Sequence, residues 1–168
     1  MTTVESPTVA LADDRHEVGM VSKQEGAVLL AAARLMVGIS VHAADQVGEA
    51  SLVQLRAMTV LSELQVANLV QLADRIGVTV STASRLVDRL VAADLVDRRP
   101  SEQTRREISI SLTETGRKVL QRYDDVRVQE LHARLGQLPA TSRKAAFDGL
   151  AELVSTRGPA AEEPIGGA

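Results

Sequence analysis

The sequence predicts a mainly α-helical fold with one small β-hairpin, α+β in class. Polar helix-starting residues recur along the chain, each followed three positions later by Glu or Gln: Ser22 with Glu25, Ser51 with Gln54, and Asn68 with Gln71. In such a capping box each side chain satisfies an unpaired amide of the other's turn. After these starts, apolar residues return with the helical period of about 3.6. The period changes to two at a single place, where Ile108, Ile110 and Leu112 alternate with Ser109 and Ser111, the mark of a half-buried strand.

The first helix is expected from Lys23 to Gln46. Its run Gly26 to Ala44 is apolar for 19 residues, long enough to cross a membrane. Arg34 near its middle would cost ~3 kcal/mol on insertion scales. An all-round apolar helix is also what burial in a core produces. The expectation is therefore a buried helix in a cytoplasmic protein with no membrane partner. The preceding residues 1–21 carry Glu5, Asp13, Asp14 and Glu17 against Arg15, the wrong charge for a signal peptide. They read as a mobile acidic tail, and residues 158–168 as a second tail.

The second helix is expected at Leu52 to Leu64 and the third at Leu69 to Arg75, ended by Gly77 as a C-cap. A fourth begins near Thr79, with Ala83, Leu86, Val87, Leu90 and Val91 as one apolar stripe. Its other faces carry Ser81, Thr82, Ser84, Arg85, Asp88 and Arg89. The strand Ile108 to Leu112 is expected to pair with Leu95 to Arg99 across a polar tip, Pro100 to Arg105. Thr113 caps a fifth helix to about Leu135, with the stripe Val119, Leu120, Tyr123, Val126, Glu130/Leu131 and Leu135. At 1.5 Å per residue it spans ~34 Å, longer than a small core requires. Pro139 starts a sixth helix, with Ala146, Phe147, Leu150, Leu153 and Val154 as its stripe. Residues 22–157 are expected to form a single domain, with the part that carries function at about 52–112.

A short helix, a turn at Gly77, a helix with a polar outer face and a following hairpin make a winged helix-turn-helix. Ser81, Thr82, Ser84, Arg85 and Arg89 present hydroxyls and guanidinium groups that can reach base edges in a major groove. At the wing, Arg105 and Arg106 are placed to enter an adjacent minor groove, where narrow A·T-rich DNA concentrates negative potential. Arg98 and Arg99 lie at the strand base; both are candidate phosphate contacts, and one is expected to pair with Asp97 instead. Asp74 and Arg75 read as a structural or phosphate-positioning pair.

Composition bounds the alternatives. The chain has no Cys, which excludes disulfides, zinc–thiolate sites and thiol switches. Its two aromatics, Tyr123 and Phe147, cannot build a base-stacking platform for single strands. There is no HExxH, no glycine-rich phosphate loop and no GxSxG, so neither an enzyme nor a cofactor or metal is expected. The net charge of −3 argues only superficially against DNA. Asn68 to Arg106 holds seven Arg and five acids, a surplus of two, which leaves −5 for the rest. Remote acids are screened over ~8 Å at physiological salt.

These residues carry a resemblance. NLVQLADRIGVTVSTASRLVDRLVAADLVDRR, followed by a hairpin ending REISISLTETG, resembles the MarR family of winged-helix transcriptional regulators. The similarity spans about Leu29 to Val154 and is strongest from Leu72 to Gly116. It implies that the first, fifth and sixth helices (about 23–46 and 113–157) form a dimer interface. It implies that Ser81, Thr82, Ser84 and Arg85 read the groove, and that Arg106 is the wing Arg. It also implies a ligand-responsive repressor that binds a palindromic operator as a homodimer. Its effector would be a small aromatic or anionic molecule, for which Arg34 and His42 are the candidate contacts. Two positions depart from the family: Thr104 stands where an acid usually orients the wing Arg, which leaves that Arg either less fixed or oriented by Glu102, and Asp94 stands where Gly ends the recognition helix. The alternative from another class is an effector-independent architectural or protein-interaction module.

Overall fold

The computed structural model describes residues 22–100 and 108–155. Both expected tails and the wing tip lie outside these residues. The chain divides into two compact units, the first ending at Met36 and the second beginning at Val37.

The first unit contributes the start of helix α1 (Lys23–Val47). The expected capping box is formed: the Ser22 amide donates to Glu25 Oε2 at 2.9 Å, and the Glu25 amide donates to Ser22 Oγ at 3.1 Å. These bonds hold the Glu25 carboxyl below the usual carboxylate range. Val28, Leu29, Leu30, Leu35 and Met36 are all exposed.

The second unit holds the rest of α1, then α2 (Leu52–Leu64), α3 (Leu69–Ile76), α4 (Val80–Ala92), β1 (Val96–Pro100), β2 (Ile108–Leu112), α5 (Glu114–Gly136) and α6 (Ala140–Ser155). Capping boxes at Ser51 with Gln54 and at Asn68 with Gln71 start α2 and α3 as the sequence demands. Gly77 ends α3 in the left-handed conformation, φ 74°. Asp94 takes φ 57° after α4, as a short polar residue can. The core is made of Leu55, Met58 and Leu61 from α2, Leu72 from α3, Val87 and Leu90 from α4, Ile110 from β2 and Val119 from α5.

The hairpin is antiparallel, and its register sets Val96 opposite Leu112, Arg98 opposite Ile110 and Pro100 opposite Ile108. β1 starts one residue later than expected, because the Leu95 amide is committed to the end of α4, although its carbonyl still meets the residue opposite in the register. The amide donates to Leu90 O at 2.9 Å, and the carbonyl accepts from the Thr113 amide at 3.1 Å. Ile108, expected inside, is exposed; burial falls away toward the outer end of the hairpin, where it faces Pro100. A feature with no periodic signal adds to the sheet. Ala67, between α2 and α3, exchanges both backbone hydrogen bonds with Ile110, at 3.0 and 2.7 Å.

The base of the hairpin is locked onto α5. Thr113 Oγ1 donates to Asp94 O at 2.7 Å and caps α5 through the Gly116 amide at 2.9 Å. A β-carbon at Gly116 would stand 2.0 Å from the Leu95 carbonyl oxygen, so only glycine fits there.

The expectation of a buried first helix is corrected. Of α1, only Ile39, Ala43 and Ala44 are buried, because one chain can cover one stripe of a helix that is apolar all round. Among the described residues α1 is the one helix long and apolar enough to cross a membrane. Helix α6 buries no residue.

Candidate nucleic-acid interface

The candidate face is built on α4. Thr79 caps the helix by accepting from the Thr82 amide at 3.3 Å. Its hydroxyl also meets Ser81 Oγ at 3.0 Å and Thr82 Oγ1 at 2.9 Å, so both candidate base readers are held in one hydroxyl cluster at the helix start. Ala83, Leu86, Val87 and Leu90 are buried as the stripe predicts, while Val91 at its edge is exposed.

At about 100° per residue, the polar side chains fall in the order Ser84, Asp88, Ser81, Arg85, Arg89, Thr82 across roughly 160° of arc. The Ser84 and Asp88 edge faces β1. There Arg98 Nη1 meets Asp88 Oδ1 at 2.7 Å, and Arg98 Nη2 donates to the Ser84 carbonyl at 3.3 Å. Arg85 near the middle of the face and Arg89 toward its Thr82 edge are exposed and, among the described residues, have no carboxylate partner. Asp88, the one acid on α4, is thus turned away from them.

The predicted wing residues separate. Arg98 is half-buried, whereas Arg99 is 80% exposed and pairs with Asp97 at 2.6 Å. The strand register explains the difference. Cross-strand partners share a face, so Arg98 sits with buried Ile110 while Arg99 sits with Ser109 on the outer face. Arg105, Arg106, Thr104 and Glu102 lie outside the described residues.

Arg75 does not pair with Asp74; it donates to Glu63 of α2 at 2.8 Å. Adjacent helical residues point about 100° apart, so the partner comes from the neighbouring helix. His42, a candidate effector contact, lies 3.3 Å from Glu130 of α5 and 2.7 Å from the Gln46 amide nitrogen. Arg34, the other, is an exposed residue of the first unit. Sequence reasoning missed the use of Asp88 and the hydroxyl organiser Thr79. The first was signalled by the even spacing of Val96, Arg98 and Pro100 on one strand face, the second by the N-cap position itself.

Known proteins are similar to this chain in sequence and fold. The profile of the MarR family matches residues 50–108, from the start of α2 to the start of β2. An uncharacterized HTH-type transcriptional regulator, YfiV of Bacillus subtilis, is 26% identical over 103 residues. That match takes in 61% of this chain and only 64% of the relative's length. The crystal structure of RV1404 from Mycobacterium tuberculosis is 34% identical with a TM-score of 0.73, over 83% of this chain and 97% of that one. The apo form of MarR from E. coli, at 19% identity and a TM-score of 0.65, shares the fold over 77% of this chain and 95% of its own. A cysteine-to-serine mutant of E. coli MarR complexed with operator DNA has the same fold, at 19% identity and a TM-score of 0.57, covering 79% of this chain and 94% of that one.

Proposed function

The chain belongs to the MarR family, and from that premise we propose that it is a cytoplasmic transcriptional regulator that binds duplex DNA as a homodimer. The observation that carries this reading is the pair Arg85 and Arg89, exposed on the α4 face while Asp88 is engaged by Arg98. Guanidinium groups on a helix that fits the major groove can read guanine edges or hold phosphates. The hydroxyls of Ser81 and Thr82 supply short hydrogen-bonding groups beside them. Arg99, paired with Asp97 yet 80% exposed, presents a guanidinium on the outer face of the hairpin, and Arg105 and Arg106 are the candidate minor-groove contacts.

The dimer is supported by large apolar side chains that are exposed on α6, Phe147 and Val154 above all. A two-fold dimer places two recognition helices on half-sites about 34–36 Å apart, so the operator is a palindrome. Occupying a promoter in this way represses it. An anionic or aromatic effector would shift DNA affinity through a coupling free energy of ~1–3 kcal/mol, and His42 is its candidate contact on the second unit.

The test is selection of duplexes from random-sequence DNA by the wild-type protein, followed by titration at several salt concentrations. Selection should yield a palindrome. Its affinity should fall on the order of 10³-fold between 50 and 200 mM salt, as counterion release requires. A flat salt dependence, or failure to enrich any duplex, overturns the reading.

A further inference from the structure

We infer that Arg98 is a positioning residue, which fixes the recognition helix against the hairpin and leaves the DNA contacts to Arg85, Arg89 and the outer wing arginines. The inference rests on the DNA-binding reading above and goes beyond it by removing one arginine from the contact set and assigning it a partner.

Three observations carry it. First, register puts Arg98 on the inner face of β1, opposite Ile110, which is fully buried. A side chain on that face points toward α4 rather than outward. Second, its guanidinium is spent on α4: Nη1 on Asp88 at 2.7 Å and Nη2 on the Ser84 carbonyl at 3.3 Å. Two contacts one helical turn apart, one to side chain and one to backbone, fix both the tilt and the rotation of the helix relative to the strand. Third, Arg98 Nε is enclosed by protein and has no acceptor among the described residues, so that edge of the guanidinium does not meet solvent. Arg99, one residue on, is the contrast: 80% exposed and on the outer face.

Asp88 supplies a test of sign. If it were a stray acid on a DNA-facing helix, removing its charge would tighten binding. If it holds Arg98, the same removal loosens the helix and weakens binding. The experiment measures the affinity of Asp88→Asn, Arg98→Gln, Arg98→Lys and the swap Asp88→Arg with Arg98→Asp for a duplex selected by the wild type. The same variants are measured on poly(dI-dC), each across a salt series, with Arg89→Gln as the contact control. Asp88→Asn and both Arg98 variants are expected to lose about tenfold or more in affinity for the selected duplex. Their loss on poly(dI-dC) should be smaller, and their salt slope should stay wild-type. Arg89→Gln should lower the slope by about one per subunit, and the swap should recover part of the loss. Tighter binding by Asp88→Asn, or a slope change in Arg98→Gln equal to that of Arg89→Gln, overturns the inference. A wild type that binds no duplex overturns the regulator reading instead. The pairing is then judged by chemical denaturation of Asp88→Asn, Arg98→Gln and their double variant. Additive losses overturn it, and a double variant no less stable than either single one supports it.

Discussion

Helix α4 buries Ala83, Leu86, Val87 and Leu90 against its own chain. Helix α6 carries an apolar stripe of similar size, Ala146, Phe147, Leu150, Leu153 and Val154, and buries none of it. The two patterns are alike in the sequence. Amphipathicity states that a face must be covered, not what covers it. In α4 the cover is the rest of the lobe, and the face left over is polar and basic. In α6 the face left over is the apolar one.

The largest break in this comparison comes from α4. Leu90→Ala should cost about 2–5 kcal/mol of folding stability, read by chemical denaturation, and the loss should not depend on protein concentration. Gly116→Ala probes the packed side at its closest approach. Its methyl group would meet the Leu95 carbonyl oxygen at 2.0 Å, so a cost of about 3 kcal/mol is expected in the same measurement. On the α6 side, Phe147→Ala with Leu153→Ala should leave the spectrum of the folded chain unchanged. It should raise the dissociation constant for self-association at least tenfold, about 1.4 kcal/mol, seen by sedimentation over a concentration series. A concentration-independent loss of stability would place α6 with α4 and end the contrast.

The smallest effect concerns pH. The Arg122 guanidinium hydrogen-bonds Glu49 and holds its carboxyl below the usual carboxylate range. A depressed folded pKa contributes stability at pH values above the unfolded value, about 4.3, and loses it as pH falls through the folded value. Glu49→Gln should therefore flatten the acid limb of a stability–pH curve slightly, with no change near neutrality beyond the loss of the bond itself. Both side chains are about half exposed, so a large effect is not expected.

Much of the frame was legible because helix ends are local. The caps at Ser22, Ser51, Asn68, Thr79 and Thr113, and the turn at Gly77, depend on residues within one turn of each other. The polar arc of α4 was legible for the same reason, since one helix sets it. What depended on two elements together was not. The engagement of Arg98 with Asp88 needs the strand register as well as the helix face. Arg75 finds Glu63 across two helices, not its neighbour Asp74. The Ala67–Ile110 exchange involves one residue on the loop side, and a single residue has no period. The exposure of α1 was misjudged because an all-apolar helix fits a core and an uncovered face equally.

That single-residue exchange has a consequence for solubility. β2 is the more apolar strand of a two-stranded ribbon, and such a strand ordinarily offers its free amides and carbonyls to any passing chain. By taking both backbone groups of Ile110, Ala67 plugs the middle of that edge. A foreign strand would have to displace an intact loop before it could extend the ribbon. The middle of that strand edge is thereby guarded against strand addition by one alanine's main chain.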